Sequence, residues 1–320
     1  MRNKKHIGIA FKIILPLVGV FLVWYQLGKM TLSEREAMWE AIINVNPIWI
    51  IISIVFGILS HCSRAYRWRF LLEPLGYKPK FRTSFMAIMF GYFANTFIIR
   101  SGEFLRGASL SKTDNIPFEK TFGTIVAERI ADLVVLLLIM TTAVLLQSTA
   151  LVGYFKENAN PTGFIILLSV GIICGIIGIR LLKKSSHPFI QKIRDFGLGL
   201  LDGIKSIFNM KHNTSFIFHT IFIWSMYIGM FWIMKFSVPG TTEAPLGVIL
   251  AAFVVGGFAM SATNAGMGIY PFVVATTFSF FGFEYEDGVT FGWLLWVSQT
   301  IFNIIVGGVC ALILLFYKKR

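Results

Sequence analysis

Long apolar runs with very few charges constrain this sequence more than any other feature. Of its 320 residues, 56% are hydrophobic and 14% are charged, whereas soluble domains carry about 25% charged residues. Runs of this length and composition are typical of helices that cross a lipid bilayer. They extend approximately over residues 7–27, 47–72, 82–99, 122–146, 162–182, 214–236, 245–261, 270–283 and 289–317. The sequence therefore predicts an all-α, polytopic membrane protein in which residues 1–320 form a single transmembrane domain.

The distribution of basic residues indicates how these runs cross the membrane. If every run crossed it, the basic N-terminus and the basic loop 183–213 would lie on opposite sides, whereas Lys and Arg favour the cytoplasmic side. The conflict disappears if two elements enter the membrane and turn back. These are 82–110, with its turn at Ser101-Gly102, and 245–283, with its turn at 264–268. We therefore expect about six full transmembrane helices, two re-entrant elements and both termini in the cytoplasm.

This layout divides the chain into two similar halves. Residues 1–146 would run as span, span, re-entrant element and span, and residues 162–317 would repeat that order from the opposite side. Such an inverted repeat is the design of many transporters, which alternate access to a site near the middle of the membrane. Between the halves, segment 188–210 has apolar residues at helical spacing opposite charged ones. This pattern predicts an amphipathic helix on the cytoplasmic surface.

Charged residues inside the apolar sequence are the strongest indication of a functional site. At helical spacing they form two polar stripes, one in the first re-entrant element and one near the start of the following span. The stripes consist of Arg100, Glu103 and Arg106, and of Glu128, Arg129 and Asp132. Because these arginines and carboxylates can neutralise one another, we expect them to form the wall or gate of a polar cavity. A purely structural ion-pair network that fixes the re-entrant element is the alternative.

If that pairing holds, Arg64 and Arg67 at the end of the second run remain free. Guanidinium groups match the geometry of phosphate, so both are predicted ligands of a phosphate headgroup. The alternative is that they anchor the helix to phosphates at the cytoplasmic interface. The second re-entrant turn is uncharged, and Gly266 and Gly268 would expose backbone amides to an anion there. Asn264 in the same turn is a predicted residue of the polar cavity or gate. The alternative role of these glycines is to allow close helix packing.

Other features exclude several classes of function. The net charge of +13 is explained by charge asymmetry across the bilayer, so we expect no nucleic-acid partner. Cys62, Cys174 and Cys310 lie far apart inside predicted spans, and neither they nor the five histidines have the spacing of a disulfide framework or a metal site. We expect no cofactor, and membrane lipids as partners. The chain is compatible with a homo-oligomer as well as a monomer.

Several short motifs resemble those of one membrane protein family. The motifs are Arg67-Trp68-Arg69, Gly91-Tyr92-Phe93-Ala94-Asn95, Gly102-Glu103-x-x-Arg106 and Glu128-Arg129-x-x-Asp132. They resemble the flippase-like transmembrane domain of lysylphosphatidylglycerol synthases, whose stand-alone members lack the soluble aminoacyl-transferase domain. The resemblance implies movement of a lipid or lipid-linked headgroup between leaflets, without aminoacyl transfer. In that family the late glycine-rich motif is often followed by a glutamate, which is absent near Asn264–Pro271 here.

These observations predict a flippase-like lipid translocase of the cytoplasmic (inner) membrane rather than an enzyme. The expected substrate is an anionic phospholipid or a polyprenyl-phosphate-linked headgroup, and the sequence contains no nucleotide-binding P-loop. One alternative is a membrane-embedded glycosyl or lipid-modifying transferase that uses polyprenyl-phosphate donors. Its candidate carboxylates are Glu34 and Glu36, or Glu284, Glu286 and Asp287. The other is a non-transporting membrane partner protein, which would have a large apolar face and no polar cavity.

Overall fold

The computed structural model of the protein describes residues 28, 32–98, 100–148, 210–263 and 265–316. Within these residues the chain is helical and contains no β-strand, so the predicted all-α architecture is confirmed. The helices are α1 (Leu32–Asn44), α2 (Pro47–Leu72), α3 (Phe81–Phe97), α4 (Ser101–Asp114), α5 (Phe118–Leu146), α6 (Asn213–Met234), α7 (Leu246–Ala262), α8 (Tyr270–Phe280) and α9 (Tyr285–Phe316). Short 3-10 turns extend α2 and α6, at Glu73–Leu75 and Lys235–Ser237, and a third covers Pro239–Thr241.

Some predicted elements fall on other parts of the chain. The predicted spans 7–27 and 162–182 lie outside the described residues, and so does Asn264. The same holds for the predicted surface helix 188–210, apart from Met210.

Four of the described helices are long and apolar enough to cross a bilayer, namely α2, α5, α6 and α9. They correspond to the predicted spans 47–72, 122–146, 214–236 and 289–317, and they make this chain an integral membrane protein. Local sequence signals mark the start of α2. The Asn46 side chain accepts a hydrogen bond from the amide of Ile48 at 3.0 Å. Pro47 follows at the first position of α2, where a helix needs no backbone donor.

The two predicted re-entrant elements are helical hairpins. Hairpin 1 consists of α3 and α4, and hairpin 2 consists of α7 and α8. The described part of the turn of hairpin 2 consists of residues 263 and 265–269 and overlaps the predicted position. Its two glycines adopt left-handed backbone angles, with φ of 85° at Gly266 and 81° at Gly268. These are conformations that glycine adopts without steric cost.

The turn of hairpin 1 lies slightly earlier than predicted. Ser101 and Gly102 are the first residues of α4, and Arg100 just before them carries the left-handed backbone angle, with φ of 55°. Gly102 serves close packing instead. Its amide donates to Oδ1 of Asn95 at 2.7 Å. A Cβ on Gly91 would lie 2.9 Å from the Gly102 carbonyl oxygen, so the two helices approach too closely for larger side chains.

Both hairpin tips lie well inside the length of a spanning helix. Glu103, in the first turn of α4, contacts Arg129, the twelfth residue of α5. Likewise, the carbonyl oxygen of Ala265 accepts a hydrogen bond at 2.7 Å from Nε1 of Trp296, the twelfth residue of α9. Eleven residues of helix rise about 16 Å, roughly half the hydrocarbon thickness of a bilayer. The tips therefore end near the middle of the spanning helices, as expected of re-entrant elements.

The two hairpins also match in their position along the chain. Helices α3 and α7 are both 17 residues long, and they start 165 residues apart, at Phe81 and Leu246. The left-handed residues Arg100 and Ala265 that follow them are separated by the same 165 residues. Adding this shift to a residue of hairpin 1 therefore gives the corresponding residue of hairpin 2.

The packing of the helices follows the same correspondence. Helix α2 packs along α6 in antiparallel fashion, since Trp49 meets Phe236 at one end and Ser63 bonds His219 further along. The first helix of each hairpin packs on the last long helix of the other half, α3 on α9 and α7 on α5. Each half therefore contributes a hairpin that is held by both halves.

Candidate functional site

One face of α2 carries polar side chains into the protein interior. Arg64 and Arg67 are one turn apart and buried, and Trp68 beside them is also fully buried. Charged groups at membrane depth cost several kcal/mol unless they are paired or hydrated. The neighbouring helices therefore have to supply partners for both guanidinium groups.

Helix α5 supplies these partners from one face. Glu128 and Asp132 are four residues apart, so they lie one above the other, and both are buried. Both carboxylates contact the arginines on α2, and Glu128 also contacts Arg106 on α4. We call the five buried residues Arg64, Arg67, Arg106, Glu128 and Asp132 the charge cluster.

Glu128 is the centre of the charge cluster. Its carboxylate accepts two parallel hydrogen bonds from Arg106, at 3.0 Å to Oε1 and 2.8 Å to Oε2. The same Oε1 accepts from Nη1 of Arg64 and lies 3.3 Å from Nη2 of Arg67. Bidentate pairing of this kind fixes the orientation of the guanidinium plane. Glu128 thereby ties α4 of hairpin 1 to α2 and α5.

Asp132 makes the second set of bonds. Its two oxygens accept from Nη1 of Arg64 and from Nη1 of Arg67, each at 2.9 Å. Arg67 also donates to Oγ1 of Thr220 on α6 at 2.8 Å. The charge cluster thus connects α2, α5 and α6, and every one of its arginines contacts a carboxylate.

Aromatic rings enclose the cluster. The guanidinium carbon of Arg106 lies 3.9 Å from the centre of the Trp68 ring, which is an energetically favourable cation–π contact. Trp68 is itself fixed, because its Nε1 donates to Oγ1 of Thr124 at 2.9 Å. Arg67 lies 5.2 Å from the centre of the Phe216 ring. These rings shield two of the three arginines from water on the side away from the carboxylates.

Helix α6 contributes residues that sequence reasoning missed. The hydroxyl of Tyr227 lies 3.4 Å from Nη2 of Arg64 and 3.1 Å from the hydroxyl of Tyr92 on α3. Neither Tyr227 nor Thr220 is charged or part of a recognisable motif, and each lies in an ordinary apolar span. Polar side chains within the apolar span of α6 were the sequence signal that could have indicated them. Only the packing of α6 on α2 shows their role.

A small open cleft lies between hairpin 1 and the charge cluster. Polar groups from α2, α4 and α5 share its wall with the close-packed face of α3. The lining residues are Arg64, Ile88, Gly91, Tyr92, Asn95, Gly102, Glu103, Arg106 and Arg129. Five of the predicted cavity residues and headgroup ligands therefore meet at one cleft, namely Arg64, Glu103, Arg106, Arg129 and, through its contacts with them, Glu128.

The pairing of charges differs from the prediction. We expected Arg100, Arg106 and Arg129 to neutralise the carboxylates and to leave Arg64 and Arg67 free. Instead, Arg64 and Arg67 bind Glu128 and Asp132 directly. Arg100 is exposed at the tip of hairpin 1 and makes no ion pair within the described residues. Periodicity along single helices does not reveal which faces of α2 and α5 meet, and this contact decides the pairing.

The charges of the cluster do not balance among the described residues. Three buried arginines contact two buried carboxylates, which leaves one positive charge. Arg129 and Glu103 add one charge of each sign at the border of the cluster, so the excess stays the same. An uncompensated positive charge in a weakly polar interior attracts an anion.

The turn of hairpin 2 has a different character. Trp296 packs over it and bonds Ala265, and a Cβ on Gly266 would lie 3.1 Å from the Trp296 Nε1 atom. Gly266 is thus positioned by packing, Gly268 is buried as well, and the described residues of the turn contribute no charged side chain. Glu284 and Glu286, two of the carboxylates considered for an enzyme, are exposed at the far end of α8 from this turn.

The fold and the site define a polytopic helical membrane protein with an arginine–carboxylate cluster beside a re-entrant hairpin. The family profile of the lysylphosphatidylglycerol synthase TM region matches residues 9–307, and the chain belongs to this family. A UPF0104 membrane protein of Methanocaldococcus jannaschii is 32% identical over 133 residues, which is 40% of this chain and 37% of the archaeal protein. The similarity thus spans little more than a third of that relative's length. No solved structure matches this chain.

Proposed function

We propose that this protein is a flippase-like translocase that moves a phosphate-bearing lipid headgroup between the leaflets of the cytoplasmic membrane. The observation that carries the proposal is the cleft beside the charge cluster, in which buried guanidinium groups lie between helices long and apolar enough to cross a bilayer. The substrate would be an anionic phospholipid or a polyprenyl-phosphate-linked lipid. Membership of the lysylphosphatidylglycerol synthase TM family supports this choice of substrate class.

The cleft offers a headgroup the interactions that it loses on leaving water. Guanidinium groups form bidentate, charge-assisted hydrogen bonds with phosphate oxygens. The excess positive charge of the cluster compensates an incoming anion, which lowers the cost of carrying it through the hydrocarbon layer. A structural network alone needs only equal numbers of arginines and carboxylates, whereas the charge cluster has one arginine more among the described residues.

In this proposal Arg64 and Arg67 act mainly as fixed parts of the site. Both residues bind Asp132 through a terminal nitrogen, which leaves the Nε–H of each as a donor without an acceptor in the described structure. They therefore keep Glu128 and Asp132 in place and supply positive potential to the cleft. Gly266 and Gly268 would approach the headgroup with backbone amides from the opposite half of the protein.

Two inverted halves would explain how the headgroup crosses. The constant shift of 165 residues and the antiparallel packing of α2 on α6 support an inverted repeat of residues 1–146 and 162–317. Transporters of this design expose a central site to each side in turn by moving one repeat against the other. We propose that the hairpins are the moving parts and that both chain termini face the cytoplasm.

Reconstitution of the purified protein into liposomes tests the proposal. Phosphatidylglycerol and a polyprenyl phosphate would each carry a fluorescent headgroup label, and an impermeant reductant would bleach the outer leaflet. We expect the protein to make the inner-leaflet probe accessible, which empty liposomes do not. Arg106→Gln should slow this movement, whereas Arg82→Gln, an exposed residue at the start of α3, should not.

Absence of movement for both lipids, with the protein folded in the vesicles, would contradict the proposal. So would equal rates for Arg106→Gln and wild type, because the charge cluster would then have no part in transport. Cysteines placed at Lys78 and Glu243 check the inverted arrangement. These exposed positions, in the loops that precede α3 and α7, should react with an impermeant thiol reagent from opposite sides of the membrane.

A further inference from the structure

Arg129 differs from the arginines of the charge cluster in how it is held. Its three nitrogens lie 3.4 Å from Asp132, 3.6 Å from Glu128 and 3.8 Å from Glu103. These distances are longer than those of well-formed charge-assisted hydrogen bonds. Its side chain is 43% exposed, compared with 3% for Arg64 and 5% for Arg106. Arg129 is thus a loosely held cation at the rim of a tightly bonded network.

The surroundings of Arg129 show where the cleft opens. On α5, the exposed side chains on the same face are all apolar, and they continue for about two turns on either side of Arg129. These side chains are Phe122, Val126, Leu133 and Leu137. Phe104, beside Glu103 on α4, is exposed as well. Arg129, which lines the cleft, thus lies in the middle of an exposed apolar stripe of a kind that is typical of surfaces facing lipid.

The cleft behind Arg129 has unused hydrogen-bond donors. Arg64 and Arg106 both line it, and each has a buried Nε–H without an acceptor in the described structure. Buried donors of this kind are rarely left without a partner in folded proteins. Together with the excess positive charge among the described residues, they favour an acceptor-rich anion with a single negative charge. A phosphodiester has these properties.

We propose that Arg129 is the first phosphate ligand of a phosphodiester lipid that enters the cleft sideways from the bilayer. This inference rests on the proposed lipid translocation. The phosphate displaces Glu103 from its long contact with Arg129, and the two Nε–H groups behind it lie on its further path. The acyl chains stay in the bilayer, along Phe104 and the apolar stripe of α5. Glu103 acts as a counter-ion that occupies Arg129 when no lipid is bound.

Lipid binding to the purified full-length protein in detergent tests this inference separately from transport. The probe is dioctanoylphosphatidylglycerol, and dioctanoylglycerol, which has no phosphate, is the control ligand. We expect Arg129→Gln to weaken binding of the phospholipid about tenfold, the effect of losing one charge-assisted interaction. Arg129→Lys should bind with intermediate affinity. Lys120→Gln, an exposed residue at the start of α5, should bind like wild type.

Glu103→Gln should change the affinity for the phospholipid in the direction opposite to Arg129→Gln. Without the competing carboxylate, Arg129 should bind the phospholipid more tightly, by roughly threefold for an exposed and partly screened pair. A structural role of the Arg129–Glu103 contact would instead make both substitutions act in the same direction. Weaker binding by both variants would therefore overturn the inference, as would unchanged binding by Arg129→Gln.

Two further measurements test whether the site takes a lipid from the bilayer and whether it serves transport. Glycerophosphoglycerol presents the same phosphodiester without acyl chains, so binding as tight as that of the lipid would contradict access from the bilayer. If wild type fails to move lipid in liposomes but binds it through Arg129, the translocase proposal falls and the binding site stands. If lipid moves at the same rate in wild type and Arg129→Gln, and binding is also unchanged, only the inference about Arg129 is overturned.

Discussion

Hairpin 1 and hairpin 2 have the same backbone plan but opposite chemistry. Each begins with a helix of 17 residues and has a left-handed residue after it, Arg100 in one and Ala265 in the other. Hairpin 1 packs against buried ion pairs. Hairpin 2 is part of a buried apolar cluster, which includes Tyr270 and Phe278 of the hairpin and Phe291 of α9. The backbone plan of a re-entrant hairpin therefore does not depend on the polarity of its packing.

The contrast is clear at corresponding positions. The shift of 165 residues takes Glu128, the centre of the charge cluster, to Trp293, and Arg64 to Gly229. Gly229 packs closely, since a Cβ there would lie 2.8 Å from the Phe56 ring. In the second half, close helix packing thus replaces charge. A headgroup that binds between the halves would find charged side chains beside hairpin 1 and, apart from the backbone amides of Gly266 and Gly268, an apolar surface on hairpin 2.

Among the substitutions that test this comparison, replacement of Glu128 by Gln should lower the stability of the protein most. The glutamine side chain keeps one oxygen acceptor, but its NH2 group is a donor. This donor would face three buried arginines, which are donors as well. Removing one partner of a buried ion pair costs about 3–5 kcal/mol. We expect a large drop in the unfolding temperature in detergent and low yields of folded protein.

Trp293→Phe is the matched control in the second half. Trp293 is buried, and its Nε1 has no hydrogen-bond partner in the described structure, so the substitution removes no bond. The exchange makes a buried ring smaller but leaves no charge unpaired, so we expect a smaller loss of stability than for Glu128→Gln. Equal losses for Glu128→Gln and Trp293→Phe would show that the two halves are stabilised in the same way.

The glycine contact inside hairpin 1 should show the second largest effect. A Cβ at Gly91 would lie 2.9 Å from the Gly102 carbonyl oxygen and 3.3 Å from Cβ of Arg106. Because backbone atoms cannot move aside easily, Gly91→Ala should lower stability by about 1–3 kcal/mol and displace Arg106. Thermal unfolding and the liposome assay would measure the two consequences.

Gly257 in the first helix of hairpin 2 is the control for this substitution. No atom lies within 4 Å of a Cβ placed there, and alanine is favoured over glycine inside helices by about 0.5–1 kcal/mol. We expect Gly257→Ala to leave stability unchanged or slightly raised. A loss comparable with that of Gly91→Ala would mean that hairpin 2 packs more tightly than the described contacts indicate.

The architecture was largely predictable from the sequence, because hydropathy and charge distribution act over whole segments. The predicted run 47–72 coincides with α2, and the second re-entrant element was placed within a few residues. The turn of hairpin 1 was misplaced, since Ser101-Gly102 is a typical turn sequence. The structure instead uses the glycine for helix contact and places Arg100 in the left-handed region.

The site was only partly predictable. Spacing along each helix showed that Glu128 and Asp132 share a face and have to meet cations. It did not show which cations, because Arg64 and Arg106 reach Glu128 from positions 64 and 22 residues away in sequence. Contacts over such distances depend on how the helices pack. The roles assigned to these residues in lipid binding stay predictions.

Loss of the hydrogen bonds that hold the two hairpin tips should have smaller effects on stability, similar in size for the two hairpins. Asn95 accepts from the Gly102 amide in hairpin 1, and Trp296 donates to Ala265 in hairpin 2, each at 2.7 Å. Asn95→Ala and Trp296→Phe should each lower stability by about 1 kcal/mol, measured by thermal unfolding. Because Asn95 lines the cleft, its replacement should also slow lipid movement more than Trp296→Phe does. Equal transport rates would show that the cleft of hairpin 1 is not the lipid route.

The smallest effects are expected at the left-handed residues themselves. A residue with a side chain loses roughly 1–2 kcal/mol of stability in this backbone region. Glycine avoids this cost, but fixing its more flexible backbone on folding offsets about 0.5–1 kcal/mol of the gain. Arg100→Gly and Ala265→Gly should therefore both raise stability by up to about 1 kcal/mol. Their effects on transport should differ, because only Arg100→Gly removes an exposed positive charge near the cleft. Arg100→Asn, which also tolerates the left-handed region, separates loss of charge from relief of strain. If all three variants transport anionic lipid at the wild-type rate, the charge at the tip of hairpin 1 has no part in attracting the headgroup.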